Sequence, residues 1–282
     1  MRNRSKARLL SDRDRAEAMT LLERDPLHNL QLLELVSRLG YDSASAEVPP
    51  QLVGAWRSRR LVGVASLRPS VVLDAGVDEE MLDAWLPFFE AIPSGLMKSG
   101  WDSATSLWQR LLGRGRGYLV DRDENAYAVS PERAVRVDPP PGAKVRCAVA
   151  RDLDPLVDAA RASLREEGRP DPFDGDPPGF RRWVRGRLSR ARVVEFDGRI
   201  QFAGYADVQR PEGWLVQGVY TFPEARRRGF ATAGMSSIVQ EAFASGAARV
   251  QLAVVAGNTS AERLYERLGF EPFARLRTVL FL

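Results

Sequence analysis

The stretch GVYTFPEARRRGFATA, residues 218–233, joins a strand-like segment to the start of a helix. A strand is predicted over residues 214–220 and a helix over residues 231–244. The backbone N–H groups in the first turn of a helix lack partners within the helix and carry the positive end of its dipole, so an anion can bind there. Gly229 allows a tight turn, and the three arginines before it add charge that never titrates. The junction therefore predicts a site for phosphate groups.

Length and composition bound the class of protein. A chain of 282 residues favours two domains, each large enough to bury a core. Hydrophobic residues make up 44% of the chain and charged residues 28%, which is typical of a globular protein. No stretch approaches the roughly 20 apolar residues of a membrane span, and the N-terminus lacks the apolar core of a secretory signal. We therefore expect a cytoplasmic protein with no membrane partner.

Rare residue types and the charge pattern exclude other classes. A single cysteine, Cys147, and a single histidine, His28, argue against a disulfide framework, cysteine-cluster and multi-histidine metal sites, and structural zinc. We expect no metal cofactor. Cys147 itself is predicted to be a small buried residue of a strand. The formal net charge is +4, but the arginines alternate with acidic residues and no nucleic-acid motif accompanies them. We expect no nucleic-acid partner, and the sequence does not indicate an oligomeric state.

Proline and glycine divide the chain. Three consecutive prolines and a glycine within residues 137–144 predict a linker, so we place the boundary between an N-terminal domain, 1–138, and a C-terminal domain, 139–282. The C-terminal half is predicted to contain, in order, a strand, two helices, three strands, a helix, a strand, a helix and a strand-rich tail. These elements lie at 145–150, 152–167, 180–188, 192–196, 200–208, 214–220, 231–244, 250–255, 260–268 and 270–282.

The N-terminal half repeats this order more faintly, which indicates an internal duplication. Helices are predicted over 16–24 and 29–39, a hairpin over 52–67, a short strand over 71–73, and then helix 78–91, strand 95–98 and helix 103–112. Where the C-terminal half has its arginine loop, this half has DAGVDEEM, residues 74–81. Acidic residues at a helix start repel phosphate. The N-terminal half is therefore not expected to bind a nucleotide cofactor in the same way.

Two motifs in the C-terminal half resemble those of the GNAT superfamily of acyl-CoA-dependent N-acyltransferases. Residues 218–233 match the family's [Q/R]xxGx[G/A] loop, and VVAGNTSAERLYERLGF, residues 254–270, matches its Asn, a helix with a Tyr, and Gly-Phe. An arginine run alone is more often a solvated surface, but the joint match favours the phosphate site. The resemblance implies an α/β fold of the α+β type. It would have two GNAT-like domains, each a mixed, mostly antiparallel sheet with a splayed central parallel strand pair flanked by helices, the N-terminal one degenerate.

The resemblance also implies which residues would bind each part of acetyl-CoA. The backbone of the fourth strand would bond the pantetheine arm, the loop N–H groups and arginines would hold the pyrophosphate, and Asn258 and the helix after it would flank the arm. The expected cofactor-binding residues are Val219, Tyr220, Thr221, Arg226, Arg227, Arg228, Gly229, Phe230, Ala231, Thr232, Asn258 and Ala261. Tyr265 would be the catalytic acid that protonates the departing thiolate. From the residues alone, Asn258 is equally a turn residue or helix cap, and Tyr265 a tyrosine at the edge of the core.

The implied activity is transfer of an acetyl group from acetyl-CoA to a primary amine, most simply that of a small molecule, by direct attack in a ternary complex. The general base is left open among Glu195, Asp207 and Glu212. Three acidic residues of a predicted loop, Asp171, Asp174 and Asp176, are candidates for attracting a cationic amine. A non-catalytic acyl-CoA sensor is the alternative. An aminoacyl-tRNA-dependent transferase is disfavoured, because it would not need the arginine loop.

Overall fold

The computed structural model describes residues 5–40 and 48–282. The chain forms two compact units. In the described part, unit 1 comprises residues 5–40, 48–125 and 274–282, and unit 2 comprises residues 126–273. The boundary after residue 138 stays a prediction about domains along the sequence. None of the helices in the described ranges is long and apolar enough to cross a membrane.

Unit 1 contains two groups of strands. Strands β1 to β4 form an antiparallel sheet in the order β1-β2-β3-β4, and β5, β12 and β6 are neighbours in that order. The buried side chains of Trp85 in α3 and Trp108 in α4 belong to one core cluster, which also contains buried residues of β2 and β3. The elements are β1 Lys6–Leu9, α1 Arg15–Leu22, α2 Pro26–Ser37, β2 Gln51–Arg57, β3 Arg60–Arg68, β4 Val72–Leu73, α3 Glu79–Glu90, β5 Gly95–Gly100 and α4 Trp101–Leu112. Two strands are shared between the units: β6 Tyr118–Val129 belongs to unit 1 up to residue 125, and β12 Glu271–Phe281 belongs to it from residue 274.

Unit 2 is a sheet with helices on both faces. Its strand order is β6-β11-β10-β9-β8-β7, antiparallel from β7 to β10, with β10 and β11 parallel. Side chains of β9 point to the two faces in turn. Phe202 packs against residues of α7, whereas Tyr205, three positions later, packs on the opposite face with residues of α5 and α6. The further elements are β7 Lys144–Cys147, α5 Leu153–Glu166, α6 Pro177–Gly186, β8 Ala191–Phe196, β9 Arg199–Arg210, β10 Gly213–Thr221, α7 Phe230–Ala244, β11 Val250–Val255 and α8 Thr259–Arg267.

Most predicted elements are present, and the differences are specific. The sequence analysis did not predict β1 or the twelve-residue β6. The predicted burial of Cys147 is wrong, because this residue is exposed. It ends β7, the last strand in the sheet order of unit 2, so one side of it has no neighbouring strand.

The element order is the same in the two halves of the chain, and so is a local ion pair. KARLLSDRD, residues 6–14, and KVRCAVARD, residues 144–152, each carry a strand and a short 3₁₀ turn. Arg8 donates to both Asp14 oxygens at 2.8 and 2.6 Å, and Arg146 donates to both Asp152 oxygens at 2.6 and 2.9 Å. In both halves the arginine lowers the pKa of the aspartate. The duplicated order therefore extends to individual contacts.

The first hairpin of each half also turns in the same way. Ser58 and Arg59 have φ of 48° and 68°, and Asp197 and Gly198 have φ of 49° and 71°. Two consecutive positive φ angles are those of a type I′ turn, whose twist matches that of the flanking strands. Only the second hairpin has the Asp-Gly pair that such a turn favours, which explains why the sequence signals it more clearly.

Candidate functional site

Strands β10 and β11 diverge. Their parallel pairing covers only Trp214 with Val250 and Leu215 with Gln251, although β10 continues to Thr221. Among the strands of the described part of the chain, residues 216–221 therefore have no partner on that side. Backbone groups left this way inside a sheet accept an extended ligand as they would an added strand. The splayed parallel pair implied by the resemblance is present in unit 2.

The divergent part of β10 also contains a bulge. Its pairing with β9 shifts register between Leu215 and Val216 and again between Gln217 and Tyr220. Gly218 lies inside the second shift with φ of +59° and is exposed, although β10 is an inner strand. A Cβ at this position would lie 3.0 Å from the Tyr205 ring. The backbone angle thus favours glycine, a Cβ would need the Tyr205 ring to move by a few tenths of an ångström, and the bulge gives solvent access to the middle of the sheet.

The start of α7 presents free donors. Arg227 and Gly229 both have positive φ, 58° and 85°, and no side chain caps the helix. The first backbone bond into α7 is from the Ala233 N–H to the Gly229 oxygen, at 3.0 Å. Within the described ranges, the N–H groups of residues 227–232 donate to no backbone oxygen. Left-handed residues that turn successive N–H groups together make an anion-binding nest.

The three arginines of the loop differ in their contacts. Arg226 binds both oxygens of Glu166, at 2.7 and 2.8 Å, and its Nε donates to the Thr221 oxygen at 3.1 Å. The Tyr220 hydroxyl donates to the same carboxylate at 2.9 Å. The guanidinium of Arg228 lies 5.0 Å from the Phe230 ring centroid. Arg226 thus links the end of β10 to the end of α5, and contact of its side chain with phosphate stays a prediction.

Glu166 is held as a carboxylate by these contacts. Burial by itself raises the pKa of Glu166, but the hydrogen bonds from Arg226 and Tyr220 outweigh burial, so the pKa is lowered. The sequence analysis did not identify this residue. Glu166 lies 60 positions before Arg226, and its place in an amphipathic helix gives no signal for such a contact.

The second motif positions Asn258 and Tyr265 at the two ends of α8. The Asn258 side-chain oxygen accepts the Ala261 N–H at 3.2 Å, so this asparagine caps the helix. At the other end, the N–H groups of Gly269 and Phe270 donate to the Glu266 and Tyr265 oxygens at 3.0 and 3.1 Å. This is the Schellman pattern, and the accompanying apolar contact is between the Tyr265 and Phe270 rings, 5.7 Å apart.

Tyr265 is 6% exposed. Burial raises the pKa of its hydroxyl, so the oxygen keeps its proton at neutral pH. A proton on the oxygen is what the predicted acid role requires. The contacts of Tyr265 also fit the simpler interpretation of a tyrosine at the edge of the core, and its catalytic role stays a prediction.

The candidate bases and two of the three acidic loop residues are engaged by partners. Each candidate base pairs with arginine: Glu195 with Arg146, Asp207 with Arg187, and Glu212 with Arg210. In the loop before α6, Asp171 accepts the Phe173 N–H at 2.8 Å, Asp176 caps α6 through the Gly179 N–H at 2.9 Å, and Asp174 is exposed. These contacts therefore do not distinguish any one of these carboxylates as the general base. No three His, Cys, Asp or Glu side chains gather as a metal site in the part of the chain described.

In unit 1 the equivalent positions are filled by the chain itself. The Asp78 side chain caps α3 by accepting the Met81 N–H at 3.0 Å, and it also accepts from Arg57 at 2.7 Å. Between β4 and β5, the Ser99 hydroxyl accepts the Leu73 N–H at 3.0 Å and donates to the Leu73 oxygen at 3.2 Å. One side chain therefore occupies the helix start, and another spans β4 and β5, which run parallel at the bridge between Val71 and Met97.

Comparison with known proteins agrees with this geometry. Residues 155–270 match the sequence model of the Acetyltransferase (GNAT) family, so this stretch of the chain is similar to a GNAT acetyltransferase domain. Among curated proteins, none matches the sequence.

Solved structures extend the similarity to the whole chain. A Drosophila protein is 16% identical with a TM-score of 0.72, over 97% of this chain and 98% of that one. A GCN5-related N-acetyltransferase from Sphaerobacter thermophilus is 18% identical with a TM-score of 0.65, over 99% and 96%. A tandem GNAT protein from the clavulanic acid biosynthesis pathway is 12% identical with a TM-score of 0.59, over 97% and 98%. At these identities the likeness is one of fold, and the fold is that of two GNAT-like domains.

Proposed function

We propose that unit 2 is an N-acetyltransferase that uses acetyl-CoA as its acyl donor and the primary amine of a small molecule as acceptor. The observation that carries the proposal is the continuity of two open backbone surfaces: the unpaired edge of β10 leads to the uncapped start of α7. An extended pantetheine arm fits the first and a pyrophosphate fits the second. The donor-binding residues are those at 219–221, 226–232, 258 and 261.

In this proposal acetyl-CoA is a substrate that supplies an activated thioester. The amine nitrogen attacks the carbonyl carbon, a β10 backbone N–H binds the developing oxyanion, and the carbon–sulfur bond breaks. The Tyr265 hydroxyl donates its proton to the thiolate. Most amines are protonated near neutral pH, so the amine gives one proton to solvent before attack. The nitrogen loses a second proton as the amide forms, and this proton restores the Tyr265 hydroxyl, so that the products are the amide and free CoA thiol.

Ligand-induced stabilisation tests donor binding. Acetyl-CoA at 100 times its dissociation constant is expected to add about 2.7 kcal/mol to the free energy of unfolding, measured as a rise in melting temperature. A matched control is acetate with free pantetheine, which lacks the pyrophosphate. Absence of any rise at millimolar acetyl-CoA would contradict the proposal. Stabilisation without release of thiol across a panel of amines would instead favour the acyl-CoA sensor.

The acid role predicts a selective loss of turnover in Tyr265→Phe. Removing the hydroxyl is expected to lower kcat roughly 100-fold, because the thiolate then leaves without a proton donor, while stabilisation by acetyl-CoA is unchanged. Tyr127→Phe is the control, since Tyr127 is 4% exposed and belongs to the same core cluster. An unchanged kcat in Tyr265→Phe would leave Tyr265 as a core residue only.

A further inference from the structure

A polar cluster lies beside the β10 bulge, on the face of the sheet that carries α5 and α6. We call Arg187, Tyr205 and Asp207 the Arg187 cluster. The guanidinium carbon of Arg187 lies 4.2 Å from the Tyr205 ring centroid and 4.9 Å from the Trp183 ring centroid. A Cβ placed on Gly218 would be 3.6 Å from Arg187 Nη2. The cluster therefore adjoins the exposed glycine of the bulge.

Arg187 uses one edge of its guanidinium and leaves the other open. Its Nε donates to Asp207 Oδ1 at 3.2 Å, and its Nη2 donates to Asp207 Oδ2. Within the described residues no acceptor is recorded for Nη1. The edge formed by Nη1 and the second N–H of Nη2 has the fork geometry that binds a carboxylate through two parallel hydrogen bonds. Stacking between two rings and pairing with Asp207 fix the orientation of that edge.

Tyr205 adds a polar atom with no partner. The residue is 3% exposed, and its hydroxyl oxygen has no hydrogen bond among the described residues. Burial raises the pKa of Tyr205 to about 12, so the hydroxyl stays a donor at neutral pH. Leaving a buried hydroxyl unpaired is unfavourable, and such groups are uncommon without a ligand or water to satisfy them.

We propose that Arg187 and Tyr205 bind a carboxylate on the acceptor, so that the acceptor is an amine that also carries a carboxylate, such as an amino acid. This inference rests on the proposed acetyltransferase function and deepens it. The position of the cluster beside the bulge places the carboxylate next to the backbone that would hold the thioester. A polycation such as a polyamine lacks the group that this edge recognises.

The test compares acetylation of the amino acids with that of their decarboxylated amines and amides, with spermidine as a polycation. We expect a preference in kcat/KM of about 100-fold for the carboxylate-bearing member of a pair, the size of a bidentate charged contact. In Arg187→Gln/Asp207→Asn, which removes both members of the pair and also the Asp207 carboxylate that lies 3.7 Å from Arg190 Nε, the preference is expected to fall to about threefold or less, mainly through KM. Arg192→Gln/Glu241→Gln is the control, because it removes another arginine–carboxylate pair of unit 2 and neither residue is a candidate for binding or catalysis.

Tyr205→Phe separates recognition from structure. A hydroxyl that serves only the fold has no partner to lose, so its removal should leave the melting temperature unchanged or higher. If the hydroxyl binds a carboxylate, Tyr205→Phe is expected to show the same melting behaviour. Its kcat/KM is then expected to be about tenfold lower for carboxylate-bearing amines and unchanged for the other amines.

Stabilisation by acetyl-CoA, measured on each variant, distinguishes the two levels of the proposal. If acetyl-CoA does not stabilise the wild-type protein, the proposed acetyltransferase function is wrong, and the carboxylate inference is wrong with it. If acetyl-CoA binds but no carboxylate-bearing amine is acetylated, or the decarboxylated amines or spermidine are preferred, the carboxylate inference is wrong and the donor site stands. A preference that survives in Arg187→Gln/Asp207→Asn would overturn it equally.

Discussion

Replacing Gly229 with aspartate is expected to weaken acetyl-CoA binding by roughly 100-fold or more. Two unit charges about 4 Å apart near a protein surface interact with about 4 kcal/mol, and a carboxylate at the start of α7 would face the phosphates at such a distance. The side chain would also occupy N–H groups that are free in this protein. The measurement is the dissociation constant for acetyl-CoA from isothermal titration or from the melting-temperature rise.

Gly229→Asn is the matched control for that substitution. Asparagine has the same shape, tolerates positive φ as well as aspartate does, and caps a helix equally well, but it carries no charge. At φ of +85° both variants share the backbone cost, and an added Cβ would approach Pro140 only to 3.4 Å. The difference between them isolates the charge. Equal dissociation constants for the two variants would show that no phosphate lies at this helix start.

The aspartate variant would give unit 2 the arrangement that unit 1 already has. In unit 1, Asp78 caps α3 and is paired with Arg57, and Ser99 bonds both backbone groups of Leu73 across the parallel strands. In unit 1 an anion at the helix start would therefore meet the Asp78 carboxylate, and an extended arm between the strands would meet the Ser99 side chain. In the described part of unit 2, no side chain caps the corresponding helix start. We propose from these contacts that unit 1 does not bind acetyl-CoA in this manner.

The local parts of the candidate site could be predicted from the sequence because they depend on neighbouring residues. A glycine turn before a helix, an asparagine cap at 258 and a glycine stop at 269 are set within a few positions of the chain, and the structure has each of them. The hairpin at Asp197-Gly198 was predicted for the same reason. Only the chemical roles of these residues stay predictions.

The long-range contacts could not be predicted in this way. Glu166 reaches Arg226 across 60 positions and Ser99 reaches Leu73 across 26, and both side chains are ordinary polar residues of a helix and a strand. Strand β12 is a second case: its residues from 274 onward belong to unit 1, where Leu276 to Phe281 pair with β5. Alternation of polar and apolar residues indicates a strand but does not indicate its partner.

Gly269→Ala is expected to lower the free energy of unfolding by about 3 kcal/mol or more. The residue has φ of +91°, where an L side chain costs about 1–2 kcal/mol. A Cβ there would also lie 2.0 Å from the backbone oxygen of Arg133, and relieving such an overlap costs roughly 1–3 kcal/mol more because backbone must move. Urea unfolding with an unchanged m-value measures the loss.

Gly246→Ala separates the two contributions. Gly246 ends α7 with φ of +88° and the same pair of Schellman hydrogen bonds, from Gly246 to Phe243 and from Ala247 to Ala242, both 3.0 Å. Its added Cβ would meet nothing within 4 Å, so only the backbone cost of about 1–2 kcal/mol remains. Because Gly269 follows the helix that carries Tyr265, its variant should also lower kcat beyond what lost stability explains, whereas Gly246→Ala should not. If both alanine variants lower the free energy of unfolding by the same amount, the Arg133 backbone moves away from the added Cβ without a measurable loss of stability.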